Sequence, residues 1–176
     1  MRSRADIEAL ANEANNSAGQ VDVPIDPGAV ATYLNLKVVK SNFSEDLSGV
    51  LIRKGNSGTI AINESHSPSR QRFTVAHECG HQALGHKGEF FVDKQVINRR
   101  DGNSSLAIDE QEIEANQFAA SLLMPREHIL TLLDYFQETH KSRGVLIEMM
   151  AGRFHVSRSA MEYRLMNLGL IAASDD

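Results

Sequence analysis

Residues 72–85 read Arg72-Phe73-Thr74-Val75-Ala76-His77-Glu78-Cys79-Gly80-His81-Gln82-Ala83-Leu84-Gly85, and the H-E-x-x-H run from His77 to His81 decides how the rest of the chain is read. Ser67 is placed to cap a helix with Pro68 at its first position, and Phe73, Ala76, His77, Gly80, His81 and Leu84 recur at helical spacing. Gly85 or Gly88 can end it. Two histidines four apart on a helix lie about 40° from each other around the axis, so both imidazoles can reach one metal ion. Glu78 projects about 100° round from His77, beside that ion, where it can act as general base on a water. Burying two histidines and a glutamate is costly unless they share a partner, and the nitrogen donors point to zinc.

A catalytic zinc needs a third protein ligand. The metzincin pattern would place glycine at 84 and histidine at 87, where this chain has Leu84 and Lys87. The remaining route is a carboxylate from a second helix. Residues 109–125, DEQEIEANQFAASLLMP, begin acidic and end apolar before a proline, as such a helix would, and Glu110 and Glu114 share one of its faces. Asn116 could make either a hydrogen bond to a ligand or a helix–helix contact.

The run RFTVAHECGHQALG, followed about thirty residues later by EANQFAASLLMP, resembles the ImmA/IrrE family of metallopeptidases. Val23-Pro24-Ile25-Asp26-Pro27, the Leu36 to Val39 strand, and Arg164-Leu165 with Leu168-Gly169-Leu170 agree with that family's layout, so the resemblance spans residues 22–171. It implies a gluzincin-type site in which His77 and His81 are metal ligands, Glu78 is catalytic and Glu114 supplies the carboxylate ligand. Cys79 departs from the pattern by replacing a large aliphatic residue. The resemblance also implies a regulatory endopeptidase whose substrate is a helix-turn-helix repressor of prophage, mobile-element or stress genes.

Composition narrows the setting. A chain of 176 residues with 41% hydrophobic residues can bury one core and a small appended module. The net charge of −5 argues against a surface given over to nucleic acid. A single cysteine cannot form an internal disulfide. No apolar stretch follows the basic residues near Met1, and no run approaches the ~18 apolar residues that span a membrane, so a cytoplasmic protein is expected.

Along the chain, Ile7 to Ala14 predicts a first helix, and Asp26 with Pro27 starts a second that runs to about Leu34. Strands are expected at Leu36 to Lys40, Gly49 to Arg53 and Thr59 to Asn63, with a turn between the last two. Residues 90–100 are ambiguous and 101–105 read as a loop. Helices follow at about 108–123, 126–138 and, with breaks, 143–170. This order suits an α+β, zincin-like metallopeptidase fold with a small β-sheet. The domain is expected over residues 1–140, with a helix-turn-helix-like extension, 141–176, packed on it. Thr59 to Asn63 is the candidate edge strand for pairing with an extended substrate.

The extension carries Lys141, Arg143, Arg153, Arg158 and Arg164 against Glu148 and Glu162, a mild basic excess that favours packing or partner docking over DNA contact. Cys79 falls on the far side of its helix from the metal and is expected to be structural. His86, His128, His140, His155 and Tyr135 are candidate oxyanion donors among which the sequence does not choose.

The mechanism expected is peptide hydrolysis with Zn²⁺, or Mn²⁺, lowering the pKa of a water towards ~7 while Glu78 takes its proton. The competing class is a non-catalytic metal-bearing regulator that binds a repressor or toxin, or a DNA-binding transcription factor using the C-terminal helices.

Overall fold

A computed structural model of the chain describes residues 1–94, 105–137 and 142–172. The elements run α1 (Arg4–Ser17), α2 (Pro27–Tyr33), β1 (Leu36–Ser41), β2 (Leu47–Lys54), β3 (Ser57–Asn63), α3 (Pro68–Ala83), β4 (Phe90–Lys94), α4 (Ser105–Leu123), α5 (Arg126–Gln137), α6 (Arg143–Phe154) and α7 (Arg158–Asn167). The fold is α+β, with one small sheet and helices packed beside it. The local signals act as their chemistry dictates: Asp26 accepts from Gly28 N, Ser67 from Arg70 N and Ser157 from Ala160 N, each satisfying an orphan donor at a helix start. The ambiguous stretch opens as β4, while the loop expected at 101–105 lies largely outside the described residues.

The sheet order is β1-β3-β2-β4. Gly55, at φ 62°, supplies the left-handed residue of the tight β2–β3 turn, and β1 runs parallel to β3, pairing Leu36 with Gly58 through Ser41 with Asn63. This overturns the expected edge strand. Thr59 to Asn63 lies inside the sheet, paired on one side to β1 and on the other to β2. Proximity in sequence to the metal helix carries no information about which strand closes the far side. The outer strand near that helix is β4, antiparallel to β2.

Leu51, Ile60 and Phe91 from the sheet, Val75, Cys79 and Leu84 from the metal-helix region and Phe118 and Leu122 from α4 belong to one buried core. Ile147, Met150, Phe154, Met161 and Leu165 from α6 and α7 join it. Two glycines set how closely its layers approach. A Cβ at Gly49 would stand 2.4 Å from Thr74 Cγ2, and one at Gly80 would stand 3.1 Å from Ala115 Cα. Gly80 thus lets α4 lie against α3 at the level of the two histidines. Among the described residues no helix is long and apolar enough to cross a membrane.

Candidate metal centre

α3 carries His77, Glu78 and His81 on buried positions, 3%, 0% and 1% exposed. The two Nε2 atoms are 3.1 Å apart. From α4, Glu112 brings Oε2 to 3.3 Å from His77 Nε2 and Oε1 to 3.5 Å from His81 Nε2. Tetrahedral ligands at bonds of about 2.1 Å are separated by about 3.4 Å, so these separations suit one divalent cation. Two imidazole nitrogens and a carboxylate are a zinc-type donor set with a position left for water or substrate.

The electrostatics agree. Burial and the neighbouring Asp93 and Glu112 push the Glu78 carboxyl up to about 8, against the opposing pull of His77. Neither of its oxygens has a hydrogen-bond partner among the described residues. Burial alone would push His77 down, but the bond to Glu112 and the charges of Glu78, Asp93 and Glu112 prevail and raise it to about 9. Burial, with the positive charge of His77, His86 and Arg53, pushes His81 down to about 2. One ring thus holds a proton where two rings and the carboxylates converge, a place that a cation fits with better charge balance.

The carboxylate that reaches the histidine pair is that of Glu112, which the sequence reading had passed over. Glu114 accepts from Arg2 Nη1 at 2.9 Å and from the Arg2 backbone N–H, and lies 3.1 Å from His86 Nε2. Residues two apart on a helix are separated by about 200° around the axis, so Glu112 and Glu114 cannot share a face. Glu110 does share the face of Glu114, and its carboxylate meets the Met1 amino group at 3.5 Å. The face turned to α3 holds Glu112 and, one turn on, Asn116, whose Oδ1 is 3.0 Å from His77 Nδ1. That contact selects the hydrogen-bond role for Asn116: its oxygen accepts from His77 Nδ1, and Nε2 is the nitrogen turned to the cluster. The available signal was this E-x-x-x-N spacing, one helical turn, rather than the run E-A-N.

Comparison with known sequences identifies the family. The family described as the IrrE N-terminal-like domain, a peptidase family, matches residues 31–166. The chain belongs to this family. It is similar to the radiation response metalloprotease IrrE of Deinococcus radiodurans, 36% identical over 60% of this chain and 30% of the relative. The IrrE of Deinococcus deserti is 37% identical over 60% of this chain and 35% of its own length. An uncharacterized immunity region protein 2 of Bacillus phage phi105 is 27% identical over 56% of this chain and 58% of the relative. The chain therefore spans from under a third to just over half the length of these relatives.

The remaining candidates of this IrrE-like chain divide by contact. His86 Nδ1 lies 2.9 Å from His81 Nδ1. His128 is bound to the Val21 carbonyl at 3.0 Å, and His155 closes α6 in a left-handed conformation, φ 54°. Tyr135 is exposed on α5, and His140 lies outside the described residues. Cys79 is fully buried, and burial with the nearby Glu78 charge pushes its thiol up, so it stays protonated and packs. In the C-terminal helices Arg164 is buried, donating to Met124 O at 3.1 Å and to Glu8 at 2.6 Å. Arg143 pairs with Glu162 at 3.5 Å and Arg158 with Glu148 at 3.9 Å. The mild basic excess of the extension is therefore partly consumed within the protein, in keeping with packing rather than DNA contact.

Proposed function

We propose that this IrrE-like chain is a zinc-dependent regulatory endopeptidase of the cytoplasm, and that its substrate is a protein regulator, a helix-turn-helix repressor by family analogy. The observation that carries the reading is the buried Glu78 carboxylate, without a hydrogen-bond partner among the described residues, beside the converging His77 Nε2, His81 Nε2 and Glu112 oxygens. His77, His81 and Glu112 would hold the ion, in place of the Glu114 expected from sequence. Zinc fits the mixed nitrogen and oxygen set, with manganese the second choice. When bound, the ion supplies Lewis acidity that polarises a carbonyl and acidifies water.

The protein's own groups do the rest. Glu78, one residue from a ligand, takes a proton from the attacking water and delivers it to the leaving amine, and the positive charge of a bound ion would favour the ionised carboxylate that the first transfer needs. Asn116 fixes the His77 ring. The edge of β4 would hold the substrate extended, since Phe91 of that strand lies against the His81 ring, 4.3 Å between centroids. Residues 1–140 form the catalytic unit in this reading, and 141–176 an extension packed on it.

The test is Glu78→Gln with the wild type, both metal-loaded, incubated with repressors encoded beside the gene. Two discrete fragments are expected with wild type and none with the variant, which keeps its metal because the amide preserves shape but cannot accept the proton. A stable complex with an intact repressor under metal-replete, inducing conditions would instead favour a non-catalytic regulator.

A further inference from the structure

His86 stands just beyond the helix that bears the motif, yet it is 5% exposed and wedged between two functional groups. Its Nδ1 is 2.9 Å from His81 Nδ1, and its Nε2 is 3.1 Å from Glu114 Oε2. We propose that His86 is a positioning residue for the metal ligand His81, the middle of a chain Arg2–Glu114–His86–His81 that fixes the ring and tautomer of that ligand. This rests on the reading that His77, His81 and Glu112 hold a metal.

The proton bookkeeping allows one arrangement. His81 points Nε2 at His77 and Glu112, so as a ligand it keeps its lone pair there and carries its proton on Nδ1. That N–H can only donate to His86 Nδ1, which must accept; the proton of His86 then lies on Nε2, directed at the Glu114 carboxylate. Glu114 is held as an acceptor by the guanidinium and backbone N–H of Arg2. Each buried polar atom in the row has at least one partner of the correct sense, and Glu114 Oε2 has two, the condition under which such a row is tolerated. The two ligands are thus steadied differently: His77 by a neutral amide, His81 by a carboxylate acting through a second imidazole, an arrangement that raises ligand basicity.

The backbone is built to put His86 there. Gly85, at φ 62°, takes the left-handed turn that reverses the chain after α3, and His86 N then donates to His81 O at 3.1 Å. Arg53 from β2 donates to the carbonyls of His86 and Gly88, pinning the turn from the sheet side. Arg2 also donates to Leu84 O at 2.6 Å, at the carboxyl end of the same helix.

The experiment combines zinc affinity by chelator competition with nitrogen-15 imidazole spectra of the zinc-loaded protein. His86 is expected as the Nε2–H tautomer with an accepting Nδ1, and His86→Ala should loosen zinc by about 10- to 100-fold, the effect typical of losing such a partner. His86→Gln, whose amide can accept from His81 and donate to Glu114, should recover much of that loss. A proton on His86 Nδ1 in the loaded wild type overturns the proposal even where the alanine variant does not fold. So does zinc affinity in a folded His86→Ala protein equal to that of wild type. If wild-type affinity is instead unmoved by Glu112→Gln and His77→Ala, the metal reading itself fails and this inference with it.

Discussion

The α3–α4 seam and the α6–α7 pair each bury ionisable side chains, but they treat them oppositely. In the C-terminal pair Arg164 is buried with its bonds made, to Met124 O and to Glu8, and it ties the last helix to α1. In the seam Glu78 is buried with both oxygens unpartnered among the described residues. A buried charge whose partners lie in the protein serves the architecture. A buried carboxylate left without them, next to converging ligand atoms, carries a desolvation cost that the architecture does not offset, which is what supports the chemical role proposed for Glu78.

The largest effect expected from this contrast is on metal binding. His77→Ala, His81→Ala and Glu112→Ala should each weaken zinc by more than the about 100-fold upper range seen for outer-sphere partners, while Glu114→Ala should stay within that range. Chelator competition on the four variants ranks them. Full zinc occupancy in Glu112→Ala together with loss in Glu114→Ala would reverse the assignment drawn from the seam and restore the one read from sequence.

The C-terminal pair should respond in stability instead. Arg164→Ala leaves Glu8 without its partner and opens a void beside Met124, at a cost of roughly 3–5 kcal/mol. Denaturant unfolding measures this, and zinc affinity of the folded fraction should not move. A matching fall in zinc affinity would mean that the two regions are coupled, and the contrast drawn between Arg164 and Glu78 would lose its force.

These regions also differ in how legible they were. H-E-x-x-H at helical spacing fixed His77, Glu78 and His81 because one helix places all three, and a single helix is what periodicity resolves. The carboxylate that meets the two histidines comes from a second helix, and that helix's rotation about its own axis depends on packing that Gly80 and Ala115 set. Whether Glu112 or Glu114 meets the histidines is therefore a question of phase, half a helical turn, and the structure turns Glu112 to them where the family resemblance implied Glu114. The sheet failed for a related reason. Three strands were readable from their composition, but β1 returns in parallel to cover β3, and no local signal records a non-local pairing. Arg164 looked like part of a basic patch because charge counts do not report burial.

The smallest effect expected separates the inner strand from the edge strand. Arg53 N donates to Glu89 O at 2.8 Å, and antiparallel alternation then turns the amide groups of Phe91 towards β2 and those of Phe90 and Val92 away from it. Val92→Pro removes an outward N–H, a position where an edge strand tolerates proline, so the fold and the zinc site should persist. If substrate pairs with this edge, one main-chain hydrogen bond of about 1 kcal/mol is lost and kcat/KM should fall about 5-fold, through KM. Ile60→Pro lies between two partners and should cost about 3 kcal/mol or more in stability, whatever the substrate does. Unchanged KM in a folded, zinc-loaded Val92→Pro enzyme would remove β4 as the substrate strand and leave the Glu78 chemistry untouched, because no step at the metal depends on that amide.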